Sequence, residues 1–206
     1  MTINTILFDL DGVLVDSQEI HRVTLNEALD AVSGITIEEC DYRENFIHLY
    51  TTQKIQKLVD RGLVSLSDID DIYALKQAKT SIALKKDLIT SSQSLALVEF
   101  LQQNKYNVGC VTGAIRKSAN IMLYKSGTLS FMDLIITRDD VKKTKPNPEP
   151  YLKAMQLFKV APYQCMIVED EEKGIVSAIM SGCNNIWKIN HIDEVSIDNF
   201  RRQDGI

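Results

Sequence analysis

Short apolar runs along the chain predict a set of β-strands. Four runs have nearly continuous apolar character, and a fifth at Ile186–Ile189 is weaker. The four stronger runs are Thr5–Leu10, Asn107–Val111, Leu134–Thr137 and Cys165–Val168. Continuous rather than alternating apolar residues are typical of strands that are covered on both faces of a parallel sheet.

Helical periodicity fills the intervals between and beside the later runs. The predicted helices are Ser94–Asn104, Arg116–Lys125, Pro150–Phe158 and Lys173–Ser181, and Gly182 follows the last of them as a stop signal. Because parallel neighbouring strands require crossover connections, this alternation predicts an α/β core with a doubly wound, Rossmann-like parallel sheet.

The stretch from residue 17 to residue 90 breaks the alternation. It contains helical patterns but no proline, and it is too long for a loop. The predicted segments are Ile20–Val32, Ile37–His48, Thr52–Asp60 and Ile69–Leu84. We therefore expect residues 17–90 to form an inserted helical cap domain, and residues 1–16 and 91–206 to form the core domain.

Composition narrows the class of protein. The 206 residues are 45% hydrophobic and 25% charged, which is ordinary for a globular chain, and the formal net charge of −5 argues against a nucleic-acid partner. No apolar run approaches the length that crosses a bilayer, and no basic region precedes the first apolar run, so we expect no membrane association and no signal peptide. Four scattered cysteines without a CxxC pair favour a reduced, cytoplasmic protein.

The first strand ends in a closely spaced pair of carboxylates, Asp9 and Asp11, followed by Gly12. Residues two apart on an extended chain point to the same side, and adjacent like charges need a cation or a shared proton to coexist. Asp11-Gly12 between apolar runs is also a turn signal, and the two interpretations are compatible.

Polar residues follow three other predicted strands. Thr112 and Gly113 follow the second strand, where they indicate either an anion cradle or a simple helix N-cap. Lys145 precedes a proline-rich stretch, which restrains it, although lysines in loops are usually solvated. Glu169 and Asp170 end the Cys165–Val168 run, where acidic residues also favour a helix N-terminus.

These residues share one predicted location. In open α/β sheets the carboxyl ends of the strands meet at a single crevice, which would hold Asp9, Asp11, Thr112, Lys145, Glu169 and Asp170. Hard oxygen ligands favour Mg²⁺, which keeps substrate phosphate oxygens among its ligands. Together with an anion cradle and a lysine, they indicate phosphoryl chemistry.

The sequence resembles the haloacid dehalogenase superfamily, in its phosphatase and β-phosphoglucomutase-like branch with a helical cap. Four stretches carry the resemblance in the family's order: FDLDGVLVDS at 8–17, VTG at 111–113, KPNPEPY at 145–151 and VEDEEKG at 168–174. The resemblance spans roughly residues 5–190. It departs from the common family pattern at Gly113, Thr144 and Glu171, none of which removes a group that the chemistry needs.

The resemblance implies a role for each matching residue. Asp9 would be the nucleophile that forms an aspartyl-phosphate, and Asp11 would be the general acid and then the general base. Gly12, Thr112, Gly113 and Lys145 would bind the phosphoryl group. Mg²⁺ would be held by Asp9, the Asp11 carbonyl and Asp170, with Glu169 as a direct or indirect partner.

Outside the four motifs the assignments rest on position alone. His21, on the way into the cap, and Arg43, within it, are candidates for substrate contact, as is Arg116 after the second strand; ordinary surface placement is the alternative for each. The cap would close over the crevice and exclude water.

The expected function is a Mg²⁺-dependent phosphatase that hydrolyses a small phosphorylated metabolite. A β-phosphoglucomutase-like sugar phosphomutase uses the same nucleophile and is the alternative enzyme; a phosphometabolite-binding regulator is the alternative outside catalysis. The sequence carries no signal for the number of subunits.

Overall fold

A five-stranded parallel sheet forms the centre of the fold in a computed structural model, which describes residues 3–47 and 49–204. Seven strands follow one another along the chain: β1 Thr5–Phe8, β2 Val15–Asp16, β3 Ile89–Thr90, β4 Asn107–Val111, β5 Leu134–Ile136, β6 Cys165–Glu169 and β7 Asn185–Lys188. The large sheet has the order β5-β4-β1-β6-β7, and β2 and β3 form a separate antiparallel pair. Since β1 lies in the middle, its end is flanked by strands from distant parts of the chain.

Nine α-helices lie in the described part of the chain. Four belong to the inserted segment: α1 Gln18–Ser33, α2 Glu39–Asn45, α3 Thr51–Asp60 and α4 Ile69–Asp87. Five connect or follow the strands of the large sheet: α5 Ser92–Gln103, α6 Arg116–Lys125, α7 Glu149–Phe158, α8 Glu172–Met180 and α9 Ile197–Asp204.

Both faces of the large sheet are covered. Leu7 belongs to a buried cluster with Tyr151 of α7 and Ala178 of α8. Ile6 and Phe8 point to the opposite face, because side chains alternate along a strand, and they too are fully buried. Burial on both sides explains why β1 is apolar at consecutive positions.

The chain divides into two compact units. One combines the chain up to Asp16 with the chain from Ile89 onward, and the other is the helical segment Ser17–Leu88. The core unit resumes at Ile89 rather than at 91 because β3 pairs with β2, in the register Val15 with Thr90 and Asp16 with Ile89. The role of the helical segment as a cap stays a prediction.

The helical unit has a hydrophobic core of its own. Leu25 and Leu29 of α1 pack with Phe46, Ile55 of α3 and Ile72 of α4. The helix α1 ends where Gly34 adopts a positive φ of 66° and its N–H donates to the Asp30 carbonyl. A separate core is what a self-contained inserted unit requires.

The predicted parallel α/β core is confirmed, with differences at the ends of elements. The first strand ends at Phe8 rather than Leu10, since the following residues turn back on themselves. The predicted helix Ile37–His48 is shorter, with α2 ending at Asn45, and His48 lies outside the described residues. The short strands β2 and β3 and the helix α9 were not predicted.

Cysteine placement and helix composition bear on two further expectations. Cys110, Cys165 and Cys183 are buried and Cys40 is exposed, and all four are free thiols. The first two therefore fill the core as small apolar side chains, as predicted.

Within the described ranges, every helix is too short or too polar to pass through a bilayer.

Candidate active site

Asp9 lies at the carboxyl end of the central strand. Its neighbour Phe8 is in register with Cys110 of β4 and Val168 of β6, and the Asp9 N–H donates to the Val168 carbonyl at 3.0 Å. The residues that follow on the two flanking strands are Val111 and Glu169. The nucleophile predicted from the sequence is therefore buried at the point where three strands end.

Lys145 connects the three strand ends. Its Nζ donates to Asp9 Oδ1 at 2.5 Å, to the Val111 carbonyl at 2.8 Å and to Glu169 Oε1 at 2.7 Å. An ammonium group has three protons, so these three acceptors match its full donor capacity. Only 3% of the lysine side chain is exposed, which makes it a fixed charge rather than a mobile surface cation.

The loop that carries Lys145 is held by the residue that begins α7. The two carboxylate oxygens of Glu149 accept from the backbone N–H groups of Lys142 at 2.8 Å and Lys143 at 2.9 Å. Ser177 Oγ of α8 donates to the Asn147 carbonyl at 2.7 Å. The loop is thus fastened on both sides of the lysine, although loop lysines are usually solvated.

Glu169 is almost completely buried and both of its oxygens have donors. Oε1 accepts from Lys145 and from the Tyr151 hydroxyl at 2.6 Å, and Oε2 accepts from the Asp170 N–H at 3.2 Å. A Cβ atom at position 174 would lie 2.0 Å from Oε1, so only glycine leaves room for this carboxylate beneath α8.

Asp170 presents an oxygen that the described protein atoms leave without a partner. Its Oδ1 is buried and has no hydrogen bond to any described group. Gly12, with φ of +82°, makes space for the same carboxylate, since a Cβ there would lie 2.0 Å from Oδ2. Ligand oxygens of Asp9, Glu169 and Asp170 lie within 4.8 Å of one another, so the three residues could hold a metal ion.

The pKa values of Asp9, Asp170 and Lys145 in this cluster are shifted from their usual values. Desolvation raises the pKa of Asp9 to about 7, with Lys145 opposing and Glu169 adding to the shift. Desolvation, and next the Asp9 charge, raise the pKa of Asp170 to about 8. Burial lowers the pKa of Lys145, but Asp9 and Glu169 outweigh it and raise that pKa well above its usual value. One lysine beside three carboxylates leaves an excess of negative charge that a bound cation would balance.

The turn after β4 contains the residues of the predicted anion cradle, whose role stays a prediction. Thr112 is buried, and its hydroxyl accepts from the Ala114 N–H at 3.0 Å, while Gly113 lies between them. Since the helix α6 begins at Arg116 with Ile115 at its N-cap, Thr112 does not cap it and that alternative is wrong. A hydroxyl that accepts one hydrogen bond can still donate its own proton to an anion.

Asp11 and Gly12 form a turn as well as part of the candidate site. The Gly12 N–H donates to the Val15 carbonyl at 2.7 Å, which closes a tight turn immediately after β1. Asp11 is half-buried, and its charge adds to the rise in the pKa of Asp9. The turn thus keeps a second carboxyl group close to the first.

Three other predicted substrate contacts are engaged elsewhere in the described structure. The Arg116 guanidinium donates to the Ile135 carbonyl and to Asp140. In the helical unit, Arg43 forms an exposed ion pair with Glu39, and the His21 Nδ1 lies 3.0 Å from Lys76 Nζ. These contacts use only some of the N–H groups of each guanidinium, and the three roles stay predictions.

Sequence reasoning gave no individual role to Tyr151, Glu149 or Gly174. Tyr151 stands in the KPNPEPY stretch, where its place on the apolar face of α7 favours simple packing. Its hydroxyl distinguishes it from an apolar core residue, because a buried hydroxyl needs a hydrogen-bond partner. The sequence does not say which partner.

The comparison with known protein families agrees with this geometry. The sequence profile described as haloacid dehalogenase-like hydrolase matches residues 6–188, which is most of the chain and includes every residue of the cluster. The chain is a haloacid dehalogenase-like hydrolase. As a member of this family it is an enzyme, and the resemblance carried by the four motifs is confirmed.

Relatives of this haloacid dehalogenase-like hydrolase include two phosphate-releasing enzymes. Validoxylamine A 7'-phosphate phosphatase of Streptomyces hygroscopicus subsp. limoneus is 29% identical over 178 residues, covering 85% of this chain and 81% of the relative. Pyrophosphatase PpaX of Bacillus pumilus is 28% identical over 183 residues, covering 88% and 81%. Among solved structures, β-phosphoglucomutase of Clostridium difficile has a TM-score of 0.80 at 19% identity, covering 99% and 98%, which shows a shared fold.

Proposed function

We propose that this hydrolase is a Mg²⁺-dependent phosphatase that cleaves a small phosphate monoester through an aspartyl-phosphate on Asp9. The observation that carries the proposal is the buried group formed by Asp9, Lys145, Glu169 and Asp170 at the end of β1. Phosphoryl transfer needs a positioned nucleophile and fixed positive charge, and this group supplies the nucleophile and one of the charges.

The residues present fit a magnesium ion. Hard carboxylate oxygens are its preferred ligands, and Asp170 Oδ1 is a buried oxygen that no described group satisfies. Asp9 and Asp170 would hold the ion, together with the Asp11 carbonyl. When bound, it would neutralise part of the carboxylate charge and polarise the phosphoryl oxygens.

Lys145 prepares Asp9 for attack. Because the ammonium is bonded to Oδ1, Oδ2 is left as the oxygen that attacks phosphorus. A bond forms between Oδ2 and phosphorus while the bond from phosphorus to the ester oxygen breaks. Asp11 gives its proton to that leaving oxygen, and the Thr112 hydroxyl and Gly113 N–H bind the phosphoryl oxygens.

Hydrolysis of the intermediate restores the enzyme. Asp11, now ionised, takes a proton from a water molecule that attacks phosphorus. The bond between phosphorus and Asp9 Oδ2 breaks, so inorganic phosphate leaves and both carboxyl groups return to their starting states. A mutase would instead admit a second sugar hydroxyl at this step, with the same balance of protons.

The relatives support a small phosphorylated substrate for this chain. One is named for removing phosphate from validoxylamine A 7'-phosphate and the other for cleaving pyrophosphate. Both reactions transfer a phosphoryl group to water, which is the step that Asp9 and Asp11 are proposed to carry out here.

A phosphate-release screen tests the proposal. The purified chain is incubated with sugar phosphates, phosphoglycolate, pyrophosphate, nucleotides and pyridoxal phosphate, each with excess MgCl₂ or with excess chelator. We expect release from at least one compound, and a loss of about 100-fold or more on chelation. Conversion of β-glucose 1-phosphate to an isomer without phosphate release would identify a mutase, and tight ester binding without turnover would identify a regulator.

The raised carboxyl pKa values predict how stability depends on pH and on Mg²⁺. Between the unfolded value of 3.8 and the folded values of about 7 and about 8, the folded chain holds protons that the unfolded chain has lost. Without a divalent ion, the free energy of unfolding should therefore fall as the pH rises through this window. Mg²⁺ should recover the loss at pH 8, where the carboxylates are free to bind it.

Urea unfolding at pH 5 and pH 8, with MgCl₂ or with NaCl of equal ionic strength, measures both effects. Asp170→Asn should flatten the pH dependence and abolish the Mg²⁺ response. The matched control is Asp71→Asn, which makes the same change at an exposed position of α4. An unchanged slope in the Asp170 variant, or equal responses to NaCl and MgCl₂, would contradict the assignment of this cluster to the ion.

A further inference from the structure

Tyr151 is a fully buried tyrosine whose hydroxyl meets the charged cluster. It is the third residue of α7, which directly follows the loop that carries Lys145, and it is 0% exposed. Its hydroxyl donates to Glu169 Oε1 at 2.6 Å, and its ring centroid lies 4.7 Å from Lys145 Nζ. One side chain therefore contacts both partners of a buried ion pair.

The direction of the hydrogen bond is fixed by chemistry. Burial, and next the charge of Glu169, raise the pKa of the Tyr151 phenol well above its usual value, so the group is protonated. An ionised carboxylate can only accept, so the phenol is the donor. Hydrogen bonds to a charged acceptor in a dry environment are among the stronger ones in proteins.

The phenol supplies one of the three hydrogen bonds that hold the Glu169 carboxylate. Its Oε1 accepts two hydrogen bonds, from Lys145 and from Tyr151, and the Oε2 contact with the Asp170 N–H is longer, at 3.2 Å. Gly174 leaves room for the carboxylate but supplies no side chain to restrain it. Without the phenol, Oε1 would be held by the lysine alone.

The position of Glu169 in turn decides where the lysine points. Lys145 Nζ divides its protons among Asp9, Glu169 and the Val111 carbonyl. If Glu169 shifts, the ammonium is free to follow it, and the bond that orients Asp9 Oδ1 lengthens. A displacement of this kind in a phosphoryl-transfer site lowers the rate of the chemical step much more than it lowers substrate affinity.

We propose that Tyr151 is a positioning residue for phosphoryl transfer, which acts by holding Glu169 Oε1 and, through it, the Lys145 ammonium that orients Asp9. The inference rests on the proposed function for its kinetic consequence only. The arrangement itself, a phenol that fixes a carboxylate that fixes an ammonium, is a property of the folded chain without substrate.

Tyr151→Phe is the informative substitution, since it removes the hydroxyl and keeps the ring against Lys145. With the best substrate from the phosphate-release screen, we expect kcat to fall about 10-fold while KM changes less than about twofold. Tyr124→Phe in α6, where the tyrosine is 74% exposed, is the matched control and should leave both constants unchanged. A kcat equal to that of the wild type would overturn the proposal.

A double-mutant cycle shows whether Tyr151 acts through Glu169. In a Glu169→Ala background the phenol has lost its acceptor, so adding Tyr151→Phe should change kcat less than about twofold. If the effects of the two substitutions on kcat instead multiply, Tyr151→Phe causes the full loss of about 10-fold in each background. Tyr151 then affects catalysis by another route and the proposal is wrong.

The Lys145 ammonium gives a second readout that does not depend on turnover. An ammonium with three acceptors in a buried site exchanges its protons slowly, so we expect a ¹H–¹⁵N signal that is absent from Lys145→Met. Tyr151→Phe should shift or broaden this signal, and Tyr124→Phe should not. If the wild type hydrolyses no ester, the proposed function fails while this comparison still decides the role of Tyr151. An unchanged signal in Tyr151→Phe would overturn that role.

Discussion

Asp9→Asn should lower kcat for phosphate release by about 10⁴-fold and leave the chain folded. An amide cannot attack phosphorus as a carboxylate does, so no covalent intermediate forms. The fold should tolerate the change because Asp9 is one of three carboxylates in a buried cluster with one lysine, and removal of its charge reduces their repulsion. Lys145 keeps Glu169 and the Val111 carbonyl as partners.

Two quantities are measured for the wild type and for Asp9→Asn. One is kcat, and the other is the thermal unfolding temperature in the absence of divalent ions. Brief incubation with ³²P-labelled substrate followed by acid quench should give labelled wild-type protein that releases its phosphate to hydroxylamine, as an acyl phosphate does, and Asp9→Asn should remain unlabelled. Asp71→Asn controls for the loss of one acidic charge. Turnover above about 1% of the wild-type rate in Asp9→Asn would rule out covalent catalysis by this residue.

Lys145→Met should reduce kcat by about 10³-fold and lower the free energy of unfolding by about 3 kcal/mol. The two effects have one cause, since the ammonium is the only described cation that bonds both Asp9 and Glu169. Without it, Asp9 is no longer oriented and two buried carboxylates face each other without compensation. Mg²⁺ should restore part of the stability but little of the rate.

Lys143→Met is the control, because this lysine is two residues away in the same loop and its side chain is exposed. It should change neither kcat nor stability appreciably. Urea unfolding and steady-state kinetics, each with and without MgCl₂, separate the two effects. A Lys145→Met variant as stable as the wild type would show that the buried ion pairs are not needed to hold the strand ends together.

The parts of the fold that could be predicted are those with a strong hydrophobic pattern. Asn107–Val111 and Cys165–Glu169 are strands buried at most positions, so their apolar runs reveal them. The two-residue strands β2 and β3 carry no such pattern, and Ile89 is itself exposed. The helix α9 was missed because it is short and mostly polar, with Phe200 as its one large buried side chain.

In the candidate site, the sequence indicated which residues meet but not how they bond. The strand-end rule predicts that Asp9, Lys145 and Asp170 converge, because parallel strands present their carboxyl ends at one edge. It does not predict that Lys145 divides its protons between two carboxylates and a carbonyl, or that Tyr151 contacts Glu169. Those contacts depend on side-chain rotamers and on the space left at Gly174, which are tertiary properties.

The order of the site residues along the chain has a consequence for biosynthesis. Asp9 is synthesised before Lys145, Glu169 and Asp170, of which the first lies 136 residues further along the chain. The strand that carries Asp9 pairs with β4 and β6, so it waits for both before it reaches its final neighbours. A nascent chain that stops before Lys145 carries Asp9 without its charge partners, so the buried cluster is complete only after β6 and Asp170 have been made.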